Sequence, residues 1–284
     1  MPQLQWPVTF LPPQTRFGIV VDVTSRWPLP AQDYWSTPFA EALLQHLDLV
    51  PGATILDVAS GGDGIPAFHL AERVGPTGQV LGIDVKEHLL ASARGLQGPH
   101  LPWLRFECLD MRALPARLPA FDRITGNLSV MFFRPNRFET VRGLIDHLKP
   151  GGQLVLTFPS LGTFDALWRR IDQEMAARGL RIERQRLAAH VAERPSAKDA
   201  CGWLDALGLQ RIAATESPLE VATGPGPLFL HHPLLRAGFL DDAFDCFEDP
   251  RLAEEVMQTV SEDVPSFTPL IAQRCVLSAW KPDS

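Results

Sequence analysis

Residues 53–75 read ATILDVASGGDGIPAFHLAERVG, and the fold turns on how this stretch is parsed. TILDVA, apolar and β-branched, predicts a short strand. IPAFHLAERVG has helical spacing and predicts a helix ending at Gly75. The Gly- and Ser-rich turn between them lets a ligand approach the backbone and leaves N–H groups available where the helix starts. A dinucleotide fingerprint would read G-x-G-x-x-G, whereas this turn has glycine only at Gly61, Gly62 and Gly64. Asp57, on the strand just before it, would sit beside the pyrophosphate of a dinucleotide, which is electrostatically unfavourable. An acid there suits a cofactor that is cationic at that end.

Outward from this unit the chain alternates. QVLGIDV (79–85), LRFECLDM (104–111), FDRITGNLSV (121–130) and GQLVLTFP (152–159) read as strands. KEHLLASARGL (86–96) and NRFETVRGLIDHLK (136–149) read as helices. Strand, helix, strand at this spacing implies right-handed βαβ units and an α/β fold with a parallel sheet covered on both faces. Upstream, a Pro-rich irregular stretch of about thirty residues precedes YWSTPFAEALLQHLDLV (34–50), read as a helix capped by Ser36 or Thr37, with Pro38 in its first turn. Downstream of Pro159 the rhythm changes. TFDALWRRIDQEMAARGLRIERQRLAAH (163–190) reads as one long helix or a broken pair, and SAKDACGWLDALGL (196–209) as a shorter amphipathic helix. LQRIAATESPLEV (209–221) and RCVLSAWKP (274–282) have strand character. The Pro-, Gly- and aromatic-rich stretch between those two is far longer than an ordinary connection of ~2–6 residues, and long insertions on a rigid sheet are where binding groups collect.

Composition removes several functions. The chain has 284 residues, 45% of them hydrophobic and 21% charged, as in an ordinary soluble protein with room for a large core. No apolar run approaches the ~20 residues that span a bilayer, and MPQLQWPVTFLPPQTRF is no secretory signal, so the expected location is cytoplasmic. The net charge of −7 argues against nucleic acid as a partner. The arginines of WRRIDQEMAARGLRIERQR alternate with acids and read as a solvated helix face. Cys108, Cys201, Cys246 and Cys275 are scattered, with no C-x-x-C pair and no zinc spacing, so we expect reduced thiols and no metal.

ILDVASGGDG, VLGIDVKEHLL, FECLDMRALP, FDRITGN and LKPGGQLVLTFP, in this order and spacing from Ile55 to Phe158, resemble the ordered motifs of class I S-adenosylmethionine-dependent methyltransferases. The pattern is most similar to the small-molecule methyltransferases of the ubiquinone/menaquinone-biosynthesis type. The resemblance implies a Rossmann-like doubly wound sheet, mostly parallel with an antiparallel last strand, carrying helical cap insertions. It divides the chain into an arm and helix covering the cofactor site (1–50), an S-adenosylmethionine-binding core (51–160), a helical insertion (161–197), two stretches completing the sheet (198–222 and 271–284) and a substrate cap (223–270). It also implies site roles. Asp57 and the backbone of Ala59, Ser60 and Gly61 would hold the methionine end. Asp84 would take both ribose hydroxyls, since a carboxylate has two acceptor oxygens. Val85 would pack on the adenine face, and Asp110 with the Met111 backbone would read its edge. Asn127 would border the transferring methyl, and Tyr34 and Trp35 would close over the cofactor. Each aspartate has a plainer reading: Asp84 as a helix N-cap, Asp110 as a turn former, Asp57 as a tie for the Gly-rich turn. One departure stands out: the family's G-x-G-x-G has Ala59 in its first place and either Asp63 or Gly64 in its third. Gly64 is favoured, because the helix that follows also begins one residue late.

Methyl transfer from a sulfonium is an in-line displacement that needs alignment and exclusion of water, plus a base for some acceptors. His231 and His232, in the apolar stretch GPLFLHHPLLRAGFL, are the expected imidazole bases, with histidines bonded to backbone as the plainer reading. His190 and His69 are weaker choices, and Arg134 in MFFRPNRF is placed to meet an anionic acceptor or a surface acid. The expected partner is a small, largely apolar or aromatic methyl acceptor, and the readings admit a homodimer. Two other functions fit the same layers: an NAD(P)-dependent oxidoreductase and a non-catalytic S-adenosylmethionine-binding homologue.

Overall fold

The computed structural model describes residues 8–10, 35–221, 227–236 and 239–283. In chain order the elements are β1 (Val8–Phe10), α1 (Ser36–His46), β2 (Thr54–Val58), α2 (Ala67–Val74), β3 (Gln79–Asp84), α3 (Glu87–Gln97), β4 (Leu104–Cys108), β5 (Phe121–Gly126), α4 (Arg137–Asp146) and β6 (Leu148–Pro159). Then come α5 (Asp165–Ala177), α6 (Arg181–Ala192), α7 (Ala197–Ala206), β7 (Gln210–Val221), the short α8 (Pro227–Leu230), α9 (Pro233–Arg236) and α10 (Leu240–Phe244), α11 (Pro250–Glu262) and β8 (Leu270–Trp280). These form two compact units. The first runs through Phe158 and adds Ala197–Glu216 and the residues from Cys275; the second comprises Pro159–Ser196 and Ser217–Arg274.

The described residues form one eight-stranded sheet in the order β1-β7-β8-β6-β5-β2-β3-β4. The pairs of β2 with β3 and β5, of β3 with β4, of β5 with β6 and of β1 with β7 are all parallel. Against β6 the last strand runs the other way. At one end the Lys281 N–H donates to the Gly152 carbonyl, and at the other the Ser160 N–H donates to the Gln273 carbonyl, so one residue number rises as the other falls. The expected α/β doubly wound sheet with an antiparallel last strand is therefore present. The short β1 lies in the stretch read as irregular.

Alternation along the strands explains why the apolar runs are continuous. Leu56, Val58, Leu81, Ile83, Ile124, Leu154 and Leu156 pack on one face with Val141 and Leu144 of α4 and Ala200 and Leu204 of α7. Ile55, Val80 and Val155 face the other side, against Leu43 of α1, Phe68 and Leu70 of α2 and Leu90 of α3. Both faces are covered, as a parallel sheet requires, and each fully buried side chain of this size contributes about 2 kcal/mol.

One expectation needs correcting and two are made specific. Helix α1 starts at Ser36 with Trp35 in the N-cap position and no side-chain cap bond, so neither Ser36 nor Thr37 caps it from the place the sequence suggested. The stretch 163–190 is a broken pair, split where Gly179 takes φ +72° between α5 and α6. The late insertion is helical where it is described. Its longest helix, α11, is capped by the Asp249 carboxylate accepting from the Arg251 N–H, with Pro250 at the first position.

Candidate active site

Strand order reverses between β2 and β5, whose ends lie side by side at the switch point where open α/β sheets bind ligands. The turn leaving β2 has three residues at positive φ: Ala59 at +55°, Gly61 at +70° and Gly64 at +66°. Gly64, not Asp63, is thus the third left-handed position. A Cβ on Gly64 would also lie 2.5 Å from the Phe68 ring, so glycine is required twice over there. Ala59 adopts at a cost of about 1 kcal/mol the conformation for which the family's first glycine is suited.

Asp57 is fully buried beneath this turn. Its Oδ1 accepts from the hydroxyl of Thr125, its register partner on β5, at 2.7 Å. Among the described residues its Oδ2 has no hydrogen-bond partner, and neither has the buried Ser60 Oγ. Burial pushes the Asp57 carboxyl up to about 7, with the Thr125 and Ser60 hydroxyls pulling it down and the charge of Asp84 adding to the rise.

Asp84 ends β3 half-buried. Its Oδ1 accepts from the Lys86 N–H (2.9 Å) and its Oδ2 from the Gly61 N–H (3.3 Å), which leaves one lone pair on each oxygen. It does not cap α3, whose N-cap position is Lys86. Val85 next to it is 54% exposed. Asp110 is arranged differently. It caps a one-turn helix, Met111–Ala113, by accepting from the Arg112 N–H, and both its oxygens are gripped by the Arg112 guanidinium at 2.7–3.1 Å. These bonds from Arg112 hold its carboxyl below the usual carboxylate range. The turn-forming reading thus holds, and the Asp110 oxygens are spent on their own loop. The Met111 side chain is in the core.

Asn127 follows β5 and is buried. Its carboxamide is engaged by protein on both sides: Nδ2 donates to the Ser36 carbonyl (3.1 Å) and Oδ1 accepts from the Thr157 hydroxyl (2.8 Å). Trp35 stacks on Phe39, with ring centroids 5.0 Å apart. Tyr34 lies outside the described residues. His231 is exposed and His232 half-buried, both on the turn between α8 and α9 in the second unit. His190, also in that unit, has Nε2 3.6 Å from Asp242 Oδ2. Arg134 is exposed, and its carbonyl accepts from Arg112. Sequence reasoning missed Thr125, Arg112 and Thr157. Only the strand register or the loop closure brings them to Asp57, Asp110 and Asn127, and neither is written in local residue spacing. Among the described residues no cluster of His, Cys, Asp and Glu could hold a metal ion.

A family profile described as a methyltransferase domain matches residues 55–152. The tRNA (guanine(6)-N2)-methyltransferase of Thermus thermophilus is 34% identical over 47% of this chain and 42% of its own length. Nocamycin O-methyltransferase of Saccharothrix syringae is 34% identical over 43% of each. The chain thus spans less than half the length of these two relatives. Among solved structures, the 4+2 cyclase SpnF is 19% identical and superposes with a TM-score of 0.54 over 87% of this chain and 82% of its own, which speaks to the fold alone. With this sheet order, this turn and the matched segment at its centre, residues 55–152 are a class I S-adenosylmethionine-dependent methyltransferase core.

Proposed function

We propose that the chain binds S-adenosylmethionine and transfers its methyl group by in-line displacement to a small, largely apolar or aromatic metabolite. The observation that carries this reading is the fully buried Asp57, facing the Thr125 and Ser60 hydroxyls, at the switch point of the sheet. A carboxyl buried there without a counter-charge suits a ligand bringing an ammonium or sulfonium, which favours its ionised form, and that form repels the pyrophosphate of NAD(P). When bound, the cofactor supplies a methyl carbon already activated by the sulfonium.

The rest of the work falls to the chain's own residues. Asp57 and the backbone of Ala59, Ser60 and Gly61 receive the methionine end, and Gly64 keeps the turn tight. Asp84 offers its two remaining lone pairs to the ribose hydroxyls, and Val85 covers one adenine face. The Met111 backbone reads the adenine edge, with Asp110 fixing that loop through Arg112. Asn127 borders the reacting centre, and Tyr34 and Trp35 close it from the N-terminal side. In the cap we assign 223–270, His231 and His232 are the proposed bases, removing a proton from the acceptor as the new bond to carbon forms. The net charge of −7 and the nocamycin relative favour a small acceptor; the Thermus relative makes tRNA the competing one. Four free cysteines support a reducing cytoplasm as the working location.

Isothermal titration tests the cofactor first. S-adenosylhomocysteine should bind with micromolar affinity and NADH should give no heat; the reverse would sink the reading in favour of an oxidoreductase. Turnover is then read as release of S-adenosylhomocysteine with a panel of phenolic and carboxylic metabolites beside a tRNA pool. Binding without turnover on any of them would favour a non-catalytic homologue. Once an acceptor is known, the His231→Gln/His232→Gln double variant should lower kcat at least tenfold and leave cofactor affinity within twofold. An unchanged kcat would retire both histidines as bases.

A further inference from the structure

We infer that Thr125 is a positioning residue: its hydroxyl favours the ionised form of Asp57 that a cationic cofactor needs, and so sets how acid a medium still allows capture. The inference rests on the cofactor reading above, and Thr125 acts through Asp57 rather than on the ligand. Asp57 lies in β2 and Thr125 in β5, both in the first unit. They are register partners on parallel neighbours, so their side chains stand together on one face of the sheet. Both are fully buried. The Thr125 hydroxyl donates to Asp57 Oδ1 at 2.7 Å.

On its other side, Asp57 has Gly82 of β3 as register partner, which offers no side chain. A Cβ on Gly82 would lie 2.7 Å from the Phe106 ring and 2.8 Å from Ser60 Oγ, so a ring and a second hydroxyl occupy that space. Phe68 of α2 meets Phe106 edge-on, with ring centroids 5.9 Å apart. Neither ring solvates a carboxylate as water would. Charged and titratable groups stand on the elements around it: Arg123 on β5, Asp84 ending β3, Asp63 on the turn, Glu41 on α1, His69 on α2 and Glu87 on α3. Of these only Asp84 acts on Asp57, and its like charge opposes ionisation. Burial opposes it more strongly. What favours the anion is the pair of hydroxyls, Thr125 more than Ser60.

A donated hydrogen bond is stronger to a carboxylate than to the neutral acid, so it lowers the pH at which the acid ionises. Valine would fill the place of Thr125 in a buried strand with nearly the same shape and no polar atom to bury. The hydroxyl is thus the part of this side chain that bears on Asp57, and the rest of it serves packing. Without the hydroxyl, ionisation is harder, and the pH at which a cationic ligand meets an anion moves up. Well above that pH, wild type and variant hold the same anion and bind alike. Well below it, the variant holds the smaller share of anion and binds more weakly.

The test uses the full chain with Thr125→Val, and with Thr125→Ser, which retains the hydroxyl, as the conservative control. Ionisation of Asp57 without ligand is read by carboxyl-carbon NMR of labelled aspartate, its signal assigned by its loss in Asp57→Asn. The midpoint should rise by about one pH unit in Thr125→Val and stay with wild type in Thr125→Ser. Calorimetric titration then uses S-adenosylhomocysteine, which brings an ammonium. At pH 6 Thr125→Val should bind about tenfold more weakly than wild type, and at pH 8.5 within twofold of it, with Thr125→Ser following wild type at both. An unmoved midpoint overturns the role assigned to Thr125. A raised midpoint with equal affinities at pH 6 overturns its bearing on capture, as does an equal loss at both pH values, which a merely structural role would give. Failure of the wild-type chain to bind S-adenosylhomocysteine defeats the cofactor reading, and capture with it, while the NMR midpoint still decides whether Thr125 governs the ionisation of Asp57. Should Thr125→Val not fold, Thr125→Ala carries both readouts.

Discussion

Replacing Asp84 with alanine is expected to weaken S-adenosylhomocysteine binding well beyond tenfold, for two reasons that add. The first is the direct loss of a charge-assisted acceptor for two hydroxyls, a contact about twice as strong as its neutral counterpart. The second acts through the turn. Asp84 Oδ2 holds the Gly61 N–H and Oδ1 holds the Lys86 N–H, so the carboxylate ties the Gly-rich turn to the β3–α3 junction. Alanine abandons both amides and lets the turn drift from the methionine end. Asp84→Asn separates the two effects. It keeps one acceptor and has the volume to hold one amide, so its affinity should fall between wild type and Asp84→Ala. Isothermal titration of the three proteins at one pH measures this, and thermal melting without ligand reports the turn alone, at about 1–2 kcal/mol for the alanine variant. Equal affinities across the series would remove Asp84 from the ribose site.

How far the sequence could be read depended on how local the determining physics was. The βα rhythm from Ile55 to Phe158 was legible because each strand is buried on both faces, and that demand writes continuous apolar runs between Gly-rich breaks. The broken pair α5–α6 was half legible, since Gly179 was visible but its φ of +72° was not. Helix α11 was missed although Asp249–Pro250 announces it. Its start is an N-cap followed by proline at the first helical position, and the Pro and Gly richness of the stretch before it masked that signal. At the site, Asp57, Asp84 and Val85 could be put forward because they lie at or beside strand ends, Asp57 one residue before the end of β2, Asp84 ending β3 and Val85 just after it. Their states could not be named. That Asp57 is anchored by Thr125 follows from the register of β2 on β5, a pairing across sixty-eight residues. The same holds for Asn127, which the sequence placed correctly at a strand end but whose carboxamide goes to Ser36 and Thr157 through tertiary closure. Asp110 marks a different limit. Its place in the motif was visible, but Arg112 two residues on takes up its oxygens, and only side-chain geometry decides that competition.

The affinity for S-adenosylmethionine is expected to rise steeply with pH and to level off above neutrality. Burial pushes the Asp57 carboxyl up to about 7 from an ordinary 3.8, so below pH 7 the folded, ligand-free protein holds Asp57 mainly as the neutral acid. A cationic ligand binds best to the anion, so below pH 7 each unit of pH should cost close to tenfold in affinity, with one proton released on binding. Near pH 7 the released fraction is about half, and above pH 8 it vanishes. Titrations in buffers of different ionisation enthalpy count these protons directly. Stability without ligand moves the opposite way. A carboxyl whose folded value lies above its unfolded one stabilises the fold fully below pH 3.8, and loses that contribution as pH climbs through 7. The ligand-free protein should therefore soften by a few kcal/mol, as an order of magnitude, between about pH 4 and pH 7 from this one group. Asp57→Asn is the decisive variant. It keeps the oxygen that accepts from Thr125 and cannot ionise, so it should melt higher than wild type at pH 8 and bind S-adenosylmethionine at least tenfold more weakly there. Its affinity should have no slope between pH 6 and 8. A slope that survives Asp57→Asn would assign the proton to another group, and a variant that melts lower than wild type at pH 8 would mean that Asp57 is ionised and paired in the free protein. The trade is physical: the turn holds a carboxylate that the empty fold would rather keep neutral, and the cation that ionises it recovers the cost of its burial as binding affinity.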